Sequence, residues 1–192
     1  ELRDYSFVSN SDAHSLEKIG REYNVLAIKG RSFSHLKNCL LRRDGEKVAA
    51  NYGLDPRLGK YYRSACETCC YKAEGDLFLS STCPQCGSTQ ITRGVLDRIM
   101  EIADNPQPVH PHHRAPYYHQ IPLSFIPGIG MKKLNKLRAA FGLEMNVIHR
   151  ATQAELTAVV GSKLATNIIK ARNGELDISV GAGGIYGRVN KI

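Results

Sequence analysis

The sequence predicts an α+β chain in several parts. The end of an α/β, barrel-like domain comes first, then a small four-cysteine zinc ribbon, then an all-α domain of paired helical hairpins. Three observations predict this order. Strand and helix patterns alternate over the first fifty residues, two Cys-x2-Cys pairs stand thirteen residues apart, and a glycine turn leading into a helix occurs twice at an offset of 31. The expected parts are residues 1–50, 51–114 (ribbon, a following helix and a His/Pro loop) and 115–192 (hairpins and a Gly-rich tail).

Composition narrows the function classes. The 192 residues carry a net charge of +8, which favours an acidic partner. Tryptophan is absent and aromatics make up 7%, against a carbohydrate-binding or aromatic-cage module. No apolar run is long enough for a membrane span, and the chain opens Glu1-Leu-Arg-Asp-Tyr with no leader pattern. It is therefore expected to be a cytoplasmic segment of something longer, with no membrane partner.

In the first part, Phe7-Val8 looks like a strand end running into a polar loop that contains Asp12 and His14, and Ser15–Lys18 opens a short helix. Asn24–Ile28 is a short apolar strand, and Ser32 or Ser34 caps a helix over Phe33–Leu41 with Cys39 in its core stripe. In barrels, chemistry sits where strands end, which is where Asp12 and His14 fall. An Asp-x-His pair offers two divalent-metal ligands; Asp12 serves equally well as a helix cap.

Cys66-x2-Cys69 and Cys83-x2-Cys86 give four thiolates on two tight turns, the pattern of a closed structural Zn2+ site with no open position for chemistry. Pro84 and Gly87 suit the second turn, Cys70 is a neighbour and not a ligand, and Asp76–Ser81 alternates as a ribbon strand would. Gly94–Asp104 forms the following helix. His110, His112 and His113 are held extended by Pro111 and Pro116 and read as a surface loop or a metal site. Tyr117, Tyr118 and His119, like Tyr61 and Tyr62, either stack on an unpaired base or pack between modules. Gly53–Lys60 is a near-miss phosphate loop with five residues between its glycines, and Tyr61 follows the lysine where a Mg-binding hydroxyl is needed, so nucleotide hydrolysis is excluded.

The last part starts with Ile126-Pro127-Gly128-Ile129-Gly130, followed by a helix with Met131, Leu134, Leu137 and Phe141 on one stripe and Lys132, Lys133, Lys136 and Arg138 off it. Backbone N–H groups of such a turn, at a helix N-terminus, bind phosphate oxygens. Val160-Gly161-Ser162-Lys163 repeats the pattern, and Thr152 and Glu155 start its entry helix as a capping box. Between Ile126 and Arg172 eight cations face two anions. Gly128, Ile129, Gly130, Lys132, Lys133, Lys136, Arg138, Gly161, Ser162 and Lys163 are the expected contacts to double-stranded DNA, read through its backbone. This pair resembles a helix-hairpin-helix motif. The tail Val180–Arg188 is either a phosphate-approaching loop or a flexible terminus.

Ser9-Asn-Ser-Asp-Ala-His14 followed by Leu16-Glu-Lys-Ile-Gly-Arg-Glu22 resembles the last metal-ligand motif of the PHP (polymerase and histidinol phosphatase) superfamily. The order of that motif, four cysteines, the Gly94–Asp104 helix, the His/Pro loop and the Pro-Gly-Ile-Gly turn resembles the C-terminal half of the endonuclease Q family of PHP-type DNA repair nucleases. The resemblance implies the end of a PHP barrel in residues 1–50. It also implies an enzyme that nicks DNA 5′ of deaminated bases such as uracil and hypoxanthine, or at abasic sites, using clustered divalent metal ions. Asp12 and His14 would be two of those ligands. The earlier ligand motifs are absent here, so this stretch alone is expected to bind double-stranded DNA, with or without a lesion, and not to cleave it. Repair or replication proteins are the expected protein partners. Two other classes fit the same residues: a non-catalytic DNA-binding accessory of a helicase or repair protein, and a zinc-supported protein-interaction module.

Overall fold

Local sequence signals set most element boundaries in the computed structural model, which describes residues 2–16, 19–72, 78–105 and 107–190. The fold is mixed α+β, with small sheets and six helices among those residues. By compactness it divides into Glu1–Leu54 with Val109–Pro122, and Asp55–Pro108 with Leu123–Ile192. These units do not follow the three sequence segments, because a strand near residue 118 returns to the N-terminal sheet.

In the first unit β1 (Tyr23–Ala27) lies antiparallel to β2 (Lys47–Leu54), and β5 (Tyr117–Gln120) adds parallel to β2, giving the order β1-β2-β5. Helix α1 (Phe33–Leu41) starts at Ser32, whose hydroxyl accepts from the His35 N–H, and stops at Arg42 in the left-handed region at φ 55°. Its Cys39, fully buried, packs with Val48, Ala115 and Leu26, as expected of a core thiol. Tyr23, Tyr52 and Tyr118 share one register row, and their rings stack at 4.7 and 4.9 Å. Phe7 and Val8 form no strand; the segment is tied to the sheet by the Ser9 N–H donating to Asn24 Oδ1 at 2.7 Å. Glu17 and Lys18 of the expected short helix lie outside the described residues.

The second unit begins with β3 (Ala65–Cys66), paired with β4 (Ile91–Thr92), and helix α2 (Val95–Ile102). The buried Asp97 carboxylate on α2 accepts from the Ser64 N–H at 2.6 Å, Arg63 Nε at 3.1 Å and the Phe78 N–H at 3.4 Å, fastening the helix to the cysteine segment. Burial alone would raise its pKa, but these donors and the Arg63 charge hold it below the ordinary value. Gly94 lies so close to Arg63 and Ser64 that a Cβ would come within 2.2 Å of their backbone.

Four helices follow: α3 (Met131–Phe141), α4 (Glu144–His149), α5 (Gln153–Val160) and α6 (Ser162–Asn173). The Thr152–Glu155 capping box forms in both directions. Leu134, Leu137, Leu156, Leu164 and Ile168 are buried; Met131, expected on the same stripe, is exposed because it stands in the first turn of α3, before the helix meets its neighbours. Arg172 reaches back to donate to the carbonyls of Ile148 (2.6 Å), Val147 (3.1 Å) and Ala151 (2.7 Å), satisfying the end of α4.

The glycine-rich tail is an ordered strap. β6 (Ile178–Ser179) pairs with β7 (Arg188–Val189), and the intervening turn hydrogen-bonds to residues 57–63. A Cβ at Gly181 would sit 2.2 Å from the Gly59 carbonyl, and one at Gly187 2.5 Å from that of Arg57. The glycines are therefore needed for close backbone approach, and the tail is not a flexible terminus. No described helix is long and apolar enough to cross a membrane.

Candidate metal centre and nucleic-acid interface

The four expected cysteines converge. Cys66 Sγ lies 3.6 Å from Cys86 Sγ, Cys69 Sγ 3.6 Å from Cys83 Sγ, and all four sulfurs fall within 4.8 Å of one another. Sulfurs around a tetrahedral thiolate-bound ion stand about 3.8 Å apart, so the donor set fits a metal ion. The two knuckles repeat each other. The Cys70 N–H donates to Cys66 O and the Gly87 N–H to Cys83 O; the Cys66 N–H donates to Tyr71 O and the Cys83 N–H to Ser88 O. Cys70 (φ 59°) and Gly87 (φ 72°) are both left-handed, so Cys70 occupies the place of the knuckle glycine and its exposed thiol is outside the cluster.

Behind the sulfurs, Phe78 is buried against Cys66 and Cys83 and meets Tyr71 edge to face. That packing, with the Phe78 N–H on Asp97, leaves Phe78–Ser80 without the strand expected there; Asp76 and Leu77 lie outside the described residues. The N–H groups of Cys69 and Thr68 bring the Cys66 thiol down to about 6, whereas burial pushes Cys69 up to about 12. Cys66 is thus the readiest thiolate of the cluster, while the Cys69 and Cys86 thiols are pushed up among their neighbours, which a cation bound between the sulfurs would reverse.

The two glycine turns also meet. Gly130 caps α3 at its N-terminus and Gly161 caps α6, neither helped by a side chain, so first-turn N–H groups of both helices face outward. A groove of about 550 Å³ is lined by Pro127, Gly128, Lys133, Gly161, Ser162 and Lys163, among others. Space around a Cβ is open at both Gly130 and Gly161, leaving room for a ligand to approach the backbone. Gly161, at φ 84° and ψ 158°, holds a conformation essentially reserved for glycine, and Gly128 sits at φ 90°. Asn167, 5% exposed, lines the same groove. Nothing in the residue pattern singled it out.

Lys132, Lys133, Lys136 and Lys163 are exposed, as are Gly128, Gly130, Gly161 and Ser162. Ile129 is buried and its N–H is spent on the Ile126 carbonyl. Arg138 is turned to Glu144 at 3.6 Å, and Arg172 is occupied by α4 carbonyls, so part of the counted positive charge serves the fold. The element entering the first turn is a short 3-10 turn, Leu123–Phe125, where the second copy has the full helix α5.

Asp12 and His14 stand on an exposed segment, 3.3 Å apart (Oδ2 to Nε2) and 96% and 81% exposed at the side chain. The histidines of the loop are engaged singly: His110 Nε2 with Arg114 O at 3.1 Å and His113 Nε2 with Arg3 O at 3.0 Å. Among the described residues only the cysteines gather as metal ligands.

Comparison with known proteins bears on this arrangement. No family model matches the chain. In solved structures, 98% of the chain superposes with a TM-score of 0.81 and 32% identity on the lesion-specific endonuclease PfuEndoQ from Pyrococcus furiosus, covering 50% of that protein. The fold is similar to half of endonuclease Q. A second endonuclease Q structure, bound to a 27-mer duplex with an abasic lesion at its active site, matches with a TM-score of 0.77 and 33% identity over 97% of the chain and 50% of its own. Among curated sequences, YqxK of Bacillus subtilis is 47% identical over 98% of the chain, and MJ0043 of Methanocaldococcus jannaschii 37% identical over 99%. The chain spans about half the length of the first (48%) and a quarter of the second (26%).

Proposed function

We propose that this chain is the DNA-contacting portion of a metal-dependent repair endonuclease that nicks duplex DNA 5′ of deaminated bases, uracil and hypoxanthine, or at abasic sites. The observation that carries the reading is the groove shared by the two glycine turns, where two uncapped helix N-termini and exposed Lys133 and Lys163 come together. In this reading α3 and α5–α6 form a helix-hairpin-helix pair. Its N–H groups take phosphate oxygens, with Lys132, Lys136 and Lys163 adding charge and no base being read. The four cysteines hold Zn2+, which braces the segment carrying α2. The similarity to endonuclease Q, one structure of which holds an abasic duplex, supports the substrate class.

Catalysis belongs to a longer protein. Asp12 and His14 are two ligands of a divalent metal cluster whose remaining ligands come from other motifs; such ions activate water and stabilise a leaving oxygen. The chain by itself binds duplex and leaves it intact. Fluorescence anisotropy on a labelled duplex, across about 50 to 300 mM salt, tests the binding step. Steep salt dependence is expected, with the slope of log K against log salt falling by roughly 2 to 3 in a K132A/K136A/K163A variant. A shallow slope, or one the variant shares with the parent, overturns the reading.

A further inference from the structure

The glycine strap presents a surface that the phosphate groove does not use. Tyr61 on the 57–63 segment and Ile185 and Tyr186 on the strap turn are 46%, 51% and 59% exposed, an unusual outlay of large apolar side chains where the two segments meet. The backbone beneath them is fixed: the Gly184 N–H donates to Lys60 O, the Gly187 N–H to Leu58 O, the Gly181 N–H to Arg57 O, and the Arg63 N–H to Gly181 O. The Lys60 ammonium lies 5.0 Å from the centroid of the Tyr61 ring and 6.0 Å from that of Tyr186. Cavities of about 300 and 610 Å³ flank the turn and share Gly184 and Ile185 in their walls. Lys72 lines the first and Arg188 the second; the one carboxylate there, Glu67, accepts a hydrogen bond from Thr92 at 2.7 Å.

We infer that Tyr61 and Tyr186, with Lys60 between them, form a platform that stacks unpaired bases of a DNA strand. Two rigid aromatic faces with a cation between them match the alternation of base and phosphate in a single strand. An apolar peptide would have no use for the three cations Lys60, Lys72 and Arg188. The platform belongs to the same compact unit as the phosphate groove, so one unit can hold duplex and unpaired nucleotides together. The inference rests on the proposal that the chain contacts DNA, yet its residues are different.

The test measures anisotropy of the chain on a blunt duplex, on the same duplex with a short unpaired tail, and on a thymidine oligonucleotide. A Y61A/Y186A variant is expected to lose roughly tenfold or more in affinity for the tailed duplex and the oligonucleotide while blunt-duplex affinity stays within about twofold. Y61F/Y186F, which keeps both rings, should bind like the parent. Equal losses on all three DNAs, no loss on any, or the same loss in the Phe pair would overturn the platform. Tyrosine-dependent oligonucleotide binding without any blunt-duplex binding would instead sink the phosphate groove and leave the platform standing.

Discussion

Asp97→Asn probes how helix α2 is held to the cysteine segment. The wild-type carboxylate, 1% exposed, faces an Arg63 side chain that is only 12% exposed, and it accepts from two backbone N–H groups besides. Asn keeps one acceptor, which can stay on the Ser64 N–H, but it turns an N–H2 donor toward a guanidinium and removes the negative charge opposite it. Taking one partner from a buried pair costs about 3–5 kcal/mol; with one acceptor retained the lower end applies, about 3 kcal/mol. At a urea m-value of roughly 2 kcal/mol/M the midpoint should fall by about 1.5 M. Far-UV circular dichroism of urea titrations, with metal present, reads this directly. The charge-free pair Asp97→Leu with Arg63→Met should fall less than Asp97→Leu alone, because it does not leave the Arg63 charge buried without its partner. A D97N midpoint within about 0.3 M of the parent, or a double variant as weak as the two single losses added, would refute the account.

Three further outcomes follow from the same geometry. Because Cys70 holds the left-handed place of a knuckle glycine, Cys70→Gly should retain one bound metal equivalent in a colorimetric release assay and gain up to about 1 kcal/mol, while Cys86→Ser should lose the metal. Arg172→Met removes three donors from the end of α4 and should cost roughly 2–4 kcal/mol in urea unfolding, without lowering the salt slope on duplex. Burial, followed by the charges of Arg172 and Arg150, holds the His149 pKa below its ordinary 6.5, so the unfolded chain takes up the proton first. Stability of the helical region is then full above about pH 6.5 and declines as pH falls below it; His149→Phe should flatten that limb of a Tm-against-pH profile.

Features written in a few adjacent residues were legible in advance. The Cys-x2-Cys turns, the Ser32 cap, the Thr152–Glu155 box and the glycine turns each depend on local backbone geometry, and each stands where the sequence placed it. What escaped depends on distant partners. β2 and β5 carry mixed polar and apolar residues, and their pairing is a matter of long-range register. The short helix α4 has its end satisfied by Arg172, a residue that looked like surface charge. Glycines 181 and 187 read as either a phosphate loop or a flexible end because the backbone they admit lies far away in sequence. In the candidate site, the lysines and glycines were visible as a pattern, whereas Asn167, buried between two turns, becomes visible only once the turns have met.

The strap also orders events during synthesis. The four clustered cysteines all lie between Cys66 and Cys86, so a nascent chain carries the whole set of sulfurs that could hold a metal ion soon after that stretch leaves the ribosome. The carbonyls of Arg57, Leu58 and Lys60 must wait for Gly181, Gly187 and Gly184, which are made only after every helix of the unit has been translated. Completion of the cysteine cluster and closure of the unit are thereby separated in time, and a ribosome stalled before the strap would hold an unfinished domain with its cysteines complete and its Tyr61 edge unlatched.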